Sequence, residues 1–317
     1  MLRYLVRRLL MLIPTLFLAS LVIFAIIQFA PGDPARMMLG TEATEQQIAR
    51  ERTRLGLDKP VPARYAIWIT DVAHLNLGTS QVNNRPVTRL VADAFPNTLR
   101  LALTTLVVAV LVGFPMGIWA AVRQNRPADF AVTSLNALGL SIPSFWLGLL
   151  LILLFSVKLK WLPPSGVGDP DRFFVFNLKY MIMPVTAIAV SNASVFSRFV
   201  RSAMLDVLAS DYVRTARAKG LSEPTVVVRH GLRTTLLPIV TTVGIQFGSL
   251  LGGAVVTETV FAYPGIGRLI VRSILNRDYP VVQATLMFVV AIFLITNIIV
   301  DLSYAYLDPS VKLAGAR

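Results

Sequence analysis

Six stretches of the chain contain no Asp, Glu, Lys or Arg: residues 9–32, 101–122, 130–157, 180–197, 234–257 and 279–300. A helix needs about 20 apolar residues, with a range of roughly 17–25, to cross a hydrocarbon core about 30 Å thick. All six are long enough. A buried core helix accounts for one such run, not for six in 317 residues. Membrane barrel strands of about 10 residues alternate polar with apolar positions and do not fit either. The pattern predicts an all-α polytopic membrane protein with six transmembrane helices. The first lies within residues 1–32, and the others run over about 99–122, 130–157, 180–200, 234–257 and 281–306.

Arg3, Arg7 and Arg8 ahead of the first run resemble a signal peptide. A signal h-region spans about 7–15 residues, whereas this run exceeds 20 and ends in Pro31-Gly32-Asp33-Pro34. It reads as an uncleaved span. Residues 33–96 then form a separate segment of short helices. Thr44-Glu45-Gln46-Gln47 fits a capping box that opens a charged helix to about Arg54. Pro62 opens a second helix containing Tyr65 and Trp68, two residues suited to interfacial anchoring or, alternatively, to ligand contact. Asn83-Asn84 signals a turn, and Pro86 opens a third helix to about Ala94. Residues 97–309 form the five-helix remainder, interrupted by a basic loop at 201–233, and 310–317 is a tail.

Composition agrees with the pattern. Apolar residues make up 55% of the chain and charged residues 15%, against about 25% charged in soluble domains. Mean hydropathy is +0.66. An ordinary cytosolic enzyme is excluded. With no cysteine, disulfides, thiolate metal sites and cysteine nucleophiles are excluded as well.

The net charge of +13 would suggest nucleic acid in a soluble chain. In a membrane chain it reflects basic loops held on the cytoplasmic side, so no nucleic-acid partner is expected. Counting all segments with the N-terminus inside gives 14 Lys+Arg within and 16 outside, which decides nothing. Segments longer than about 60 residues translocate largely regardless of charge. Without 33–100 the balance is 14 inside and 7 outside, which places both termini in the cytoplasm.

The chemistry available within the spans is limited. The six charge-free stretches hold no Asp, Glu or His for a proton relay, and both histidines, His74 and His230, fall in loops. Asn136, Asn192 and Gln246 are pathway candidates, although hydrogen bonding between helices explains them equally. Glu258, just beyond the fifth span, is a candidate gate or a partner for Arg268. Gly244, Gly248 and Gly252 recur every four residues, as on a helix-packing face. Pro115, Pro143, Pro184 and Pro238 either kink spans or merely curve them. No catalytic, cofactor or metal site is expected. The chain also lacks a G-x-x-x-x-G-K-[ST] phosphate loop, so any ATP would be hydrolysed on another chain.

A separate motor needs a surface to push on, and the basic loop is the best candidate. Ser210-Asp211 opens a short helix carrying Tyr212, Arg214, Thr215, Ala216 and Arg217, with its small side at Ala216 and Ala218. Lys219 follows, and Gly220 supplies a left-handed C-terminal residue. Ser222, Glu223 and Pro224 open a second helix leading into the fifth span. The result is a rigid knob joined to a transmembrane helix. An ordinary basic loop lying on anionic lipid is the plain alternative.

The run Tyr212-Val213-Arg214-Thr215-Ala216-Arg217-Ala218-Lys219-Gly220, with His230, Leu232-Arg233 and Pro238, resembles the coupling-loop signature of ABC-type importer permeases. The form is that of the dipeptide/oligopeptide permease family. Arg214-Thr215-Ala216 stands where importers in general carry Glu-Ala-Ala, and Thr234-Thr235 where peptide permeases commonly carry Asn and a small residue. Further landmarks of that family look present at Pro31-Gly32-Asp33-Pro34, 55–60, 77–80 and 141–145. Others stand at 258–261, 264–267 and 277–280.

The resemblance implies the type I ABC importer permease architecture in the inner membrane. It implies a second, related permease subunit, two ATPase subunits that bind ATP and Mg, and an extracytoplasmic solute-binding protein. Asp211, Tyr212, Arg214, Thr215, Ala216, Arg217, Lys219, Gly220 and His230 would couple to the ATPases. The implied solute is a peptide. Nickel, glutathione or another small solute is the near alternative, and a self-powered carrier or channel the distant one.

Overall fold

Hydrocarbon offers no partner to a backbone N–H or C=O, so a segment crossing it must close its hydrogen bonds internally. The computed structural model describes residues 2–29, 34–39, 43–54, 56–168 and 174–307, and the described parts of the apolar runs are helical apart from breaks at 142–143 and 254. The first span is α1 (Leu2–Gln28). It is followed by the short helices α2 (Pro34–Leu39), α3 (Glu45–Arg54) and α4 (Val61–Ala73). The expected capping box opens α3: the Gln47 N–H donates to Thr44 Oγ1 at 3.3 Å and the Thr44 N–H to Gln47 Oε1 at 2.8 Å. The landmark at Pro31-Gly32-Asp33, Leu55 and the tail beyond 307 lie outside the described residues.

The third short helix expected from Pro86 to Ala94 does not end there. It continues as α5 (Val87–Val122), with Pro96 and Pro115 inside it. Val87, Val91 and Ala94 are buried against Ile266, Ile270 and Val281, and this packing holds the helix through Pro96. The expected turn before it is present, with Asn84 at φ 54° and Thr79 bridged to Pro86.

The straight span expected over 130–157 is broken. It consists of α6 (Pro127–Ser141) and α7 (Ser144–Leu151), the latter continuing as a π-helical turn over Ile152–Lys158. The two halves meet at 94°. Pro143 has no N–H to donate and forces the preceding residue into extended backbone, and Ile142 sits at φ −83°, ψ 117°.

The remaining helices are α8 (Phe174–Leu208), α9 (Asp211–Ala218), α10 (Glu223–Thr225) and, after a π-helical turn at Val226–Leu232, α11 (Arg233–Gly253). Then come α12 (Val255–Val260), α13 (Ile266–Leu275) and α14 (Tyr279–Leu307). The apolar run 234–257 is therefore interrupted at Ala254, directly after two glycines, the weakest helix formers after proline. Among the described residues four helices are long and apolar enough to span a membrane, and the bent α6–α7 pair makes a fifth. The apolar part of α11, Ile239–Gly252, is shorter.

The bundle is assembled on small residues. Ala109, Gly113, Gly117 and Ala121 form a buried stripe on α5, facing Ala193, Phe196, Ser197 and Val200 of α8. A Cβ on Gly117 would lie 2.5 Å from the Ser197 carbonyl oxygen, and one on Gly113 2.5 Å from that of Ala193. Gly244 and Gly248 of α11 make room for the side chains of Val300 and Phe293 of α14. Outward faces are apolar, with Leu111 68% exposed and Phe130 and Leu138 similarly placed, as for a surface solvated by lipid. Replacing Gly117 by Val is expected to cost about 1–3 kcal/mol by overpacking. This would be read as a lower melting temperature of the purified protein. Gly252→Ala, whose added carbon has 3.9 Å to its nearest neighbour, is expected to be close to neutral in the same melt.

Candidate functional site

At the end of the bundle where α8 finishes, α9 stands on a small core of Val213, Ala216 and Val226, with Val207 and Leu208 packed against it. The expected small side of Ala216 and Ala218 is only half right. Ala216 is buried, but Ala218 is exposed, because 3.6 residues per turn puts Val213 and Ala216 on the inner face. Ser210 occupies the N-cap position without capping by its side chain; its hydroxyl donates back to the Val207 carbonyl at 2.5 Å. Ser222 likewise contacts Thr225 Oγ1 at 2.9 Å rather than the backbone.

Gly220 closes α9 at φ +78°, a backbone region open cheaply only to glycine, and nothing lies within 4 Å of where its Cβ would be. From Glu223 the chain is helical without a gap to Gly253, so the knob continues directly into α11. Arg217 Nε donates to Glu223 Oε1 at 2.8 Å, tying α9 to α10. The Tyr212 hydroxyl donates to Thr234 Oγ1 at 3.1 Å. His230 takes part through its carbonyl, which accepts from Thr234 Oγ1 at 3.1 Å. Arg214 reaches Asp211 at 3.4 Å, with both side chains in solvent. Arg214, Thr215, Ala218, Lys219 and Leu221 form the exposed side of the knob.

Two contacts at this end were not singled out from the sequence. Met204 of α8 is fully buried beside Val227 and Ile239, and Thr235 Oγ1 donates to its sulfur at 3.5 Å. Asp129 accepts from Arg201 Nε at 2.6 Å and Nη2 at 2.7 Å, clamping the α5–α6 turn onto α8. The Asn125 N–H completes the carboxylate at 3.0 Å. The sequence signal was available: Asp129 is the lone acid in a short loop beside Arg123 and Arg126.

Within the bundle, Gln246 Nε2 of α11 donates to Asn192 Oδ1 of α8 at 2.9 Å, and Asn136 Nδ2 of α6 donates to Ser197 Oγ at 2.9 Å. These pathway candidates thus join helices, and Asn136 Oδ1 is buried without a partner among the described residues.

At the opposite end Glu258 is fully buried. Thr98 Oγ1 donates to its Oε1 at 2.6 Å, and the Arg268 N–H donates to its Oε2 at 3.1 Å. The Ile266 N–H donates to Thr98 Oγ1 at 2.8 Å. Glu258 and Thr98 therefore cap the free N–H groups in the first turn of α13, where a carboxylate also meets the helix dipole. The expected ion pair with the Arg268 side chain is not made; that guanidinium donates to the Ala262 carbonyl at 2.5 Å. Gly265 leaves no room for a Cβ beside this carboxylate. Asp278 binds the Ser80 hydroxyl and the Gln81 N–H, the latter at 3.0 Å, which joins residues 77–80 to 277–280.

The family model described as "Binding-protein-dependent transport system inner membrane component" matches residues 113–313, and its N-terminal counterpart matches 1–102. The chain belongs to this family. It is the permease subunit of an ABC importer. The permease is 45% identical over 312 residues to the "Glutathione transport system permease protein GsiC" of Salmonella choleraesuis, covering 98% of this chain and 99% of that one. The GsiC protein of Escherichia coli K12 is 44% identical over the same length. The fold is similar to that of the MetNI methionine ABC transporter in inward-facing conformations, at TM-score 0.59 and 18% identity, covering 70% of this chain and 98% of that one. An amino acid ABC transporter gives TM-score 0.53 at 14% identity, covering 69% of this permease and 94% of that chain. Those similarities establish the type I importer permease fold.

The Arg201 guanidinium beside Asp129 holds its carboxyl below the usual carboxylate range. A carboxylate with a lowered folded pKa stabilises the protein above its unfolded value of about 3.9 and loses that contribution as pH falls through the folded value. Asp129→Asn is expected to lower stability at pH 7 by about 2 kcal/mol in a thermal melt. The difference from the parent should be constant from pH 7 to 5 and shrink below about pH 4.

Proposed function

We propose that this permease pairs with a second, related permease subunit to form a pathway for short peptide-type solutes. Two ATPase subunits bind α9, and an extracytoplasmic binding protein delivers the cargo. Both termini and the knob face the cytoplasm, and residues 33–96 face outward. The observation that carries the coupling role is the exposed α9, held by Gly220 and the Arg217–Glu223 pair on a helix unbroken into α11. The outward assignment is supported by the loop charges.

When ATP draws the two motors together, α9 moves with them. Its base is packed on α8 through Met204 and runs into α11, so both helices turn as rigid bodies between inward- and outward-facing states. The GsiC relatives carry glutathione in their name, and glutathione is itself a tripeptide. This favours it, or a peptide of similar size, as the cargo.

Affinity purification of the tagged chain from detergent is expected to recover a second permease, two ATPases and a binding protein. Cells lacking the chain are expected to lose uptake of labelled glutathione or of short peptides that compete with it. Recovery of the chain alone, or uptake that persists without the ATPases, would overturn this reading. Within the assembly, Gly220→Val is expected to reduce transport at least about tenfold without loss of membrane insertion, since a β-branched residue in the left-handed region is strained by about 1–2 kcal/mol. Gly220→Asn, a side chain that tolerates this region, should retain most activity. Equal transport by both variants would remove Gly220 from the coupling role.

A further inference from the structure

A cavity of about 970 Å³ opens at the end of the bundle opposite the knob, between the end of α1, the α3–α4 connection and the start of α14. It is part basic and part apolar. Arg52, Lys59 and Arg64 line it together with Phe24 of α1 and Trp68 of α4. Gln81 also lines it, and its Oε1 is buried with no hydrogen-bond partner among the described residues. Asp71 also lines the cavity, but Arg64 forms no ion pair among the described residues, and burial pushes its pKa down.

The depth of this cavity follows from α4. The Tyr65 hydroxyl lies 2.8 Å from Ser20 Oγ of α1, and Phe17 and Phe24 pack edge-on against the Tyr65 ring, at 6.3 and 5.4 Å between centroids. Ser20 sits eight residues before Gln28, the last residue of α1, or about 12 Å along the helix axis. Helix α4 therefore crosses α1 below its end, while the cavity lies beside the last turns of α1, at Phe24, Ile27 and Gln28, where Lys59 and Arg64, the one basic residue of α4, reach it. Apolar side chains adjoin it on both helices: Ile26 is exposed on α1, and Val61 and Ile67, which line the cavity, are exposed on α4. α1 packs chiefly on α14 and α4, so the cavity is on the periphery of the bundle and faces lipid.

We propose that this cavity binds the headgroup of an anionic phospholipid. Its phosphate is met by Lys59 and Arg64, and its acyl chains run down the exposed apolar sides of α1 and α4. The lipid fixes α4 against α1 and so positions the segment over residues 43–85. On the proposed orientation of the termini the lipid belongs to the outer leaflet, and that assignment alone rests on the orientation.

The test uses the permease with whatever subunits accompany it, placed in nanodiscs of phosphatidylcholine containing a minor fraction of phosphatidylglycerol. Retained lipid is then counted by native mass spectrometry. Phosphatidylglycerol should be retained well above its bulk fraction. Since one basic side chain at a membrane surface is worth about fivefold in lipid affinity, Lys59→Gln and Arg64→Gln should each lower that enrichment about fivefold. Lys59 is exposed, so its variant tests the site without threatening the fold. A parallel sample receives millimolar glycerol 3-phosphate. Displacement of the lipid by this soluble anion would show a free-phosphate site and overturn the proposal. So would the absence of enrichment, or enrichment equal in parent and variants. Lipid is counted without transport, so none of these results bears on the importer reading.

Discussion

The contact between α5 and α8 is the one on which the rest of the structure hangs. Inside a bilayer an apolar side chain gains nothing by leaving lipid for another apolar side chain, so helices associate through close packing and hydrogen bonds. Ala109, Gly113, Gly117 and Ala121 allow the α5 backbone to approach the α8 backbone where any larger residue would collide with the Ala193 and Ser197 carbonyls. With α8 held there, its other faces take up α6, α7 and α11, while α14 packs on α11 and α1 on α14. Ser197 receives Asn136 from α6, Asn192 receives Gln246 from α11, and Met204 receives the base of the knob.

The two ends of the bundle are built differently. At the opposite end, buried carboxylates are satisfied by neutral donors: Glu258 by Thr98 and the first turn of α13, Asp278 by Ser80 and Gln81. The bonds to Thr98, Ser80 and Gln81 bridge segments far apart in sequence, so this end is locked as one body. At the knob end the ion pairs of α9 lie in solvent, where such pairs contribute little to stability. The knob is held instead by Val213, Ala216 and Val226 beneath it and by the unbroken helix into α11. A part that receives force from another subunit is suited to such a construction, with a polar exposed side and a rigid root.

Helix type and approximate position were legible wherever the signal was local. The capping box at Thr44, the turn at Asn84 and the left-handed Gly220 depend on residues within one turn of each other, and the structure has each of them. Ala218 is exposed for a local reason, the helix period, whereas other expectations fail where a distant contact overrides the local signal. Pro96 does not end the helix begun at Pro86, because Ile266 and Val281 bury its first turns. Arg268 does not pair with Glu258, because its own backbone N–H reaches the carboxylate first while its guanidinium finds the Ala262 carbonyl. A proline at 143 is compatible with a kink or with mere curvature, and the 94° between α6 and α7 is visible only in the folded chain.

The sequence by itself determined that the chain is a membrane-embedded helical protein, because hydrophobic length and the lack of charged residues in the apolar runs are properties of composition along a line; that it is a permease rests on motifs such as 212–220, which it shares with a family, and not on composition. The sequence also located the knob, whose shape comes from a glycine and two short helices adjacent in the chain. Only the tertiary structure decided which polar side chains meet. Asp129 with Arg201, Thr98 with Glu258 and Ser80 with Asp278 are separated by 72, 160 and 198 positions. No period or spacing encodes such pairs. They form because helix packing, set by small residues, brings those backbones together, and buried polar groups then take the partners within reach.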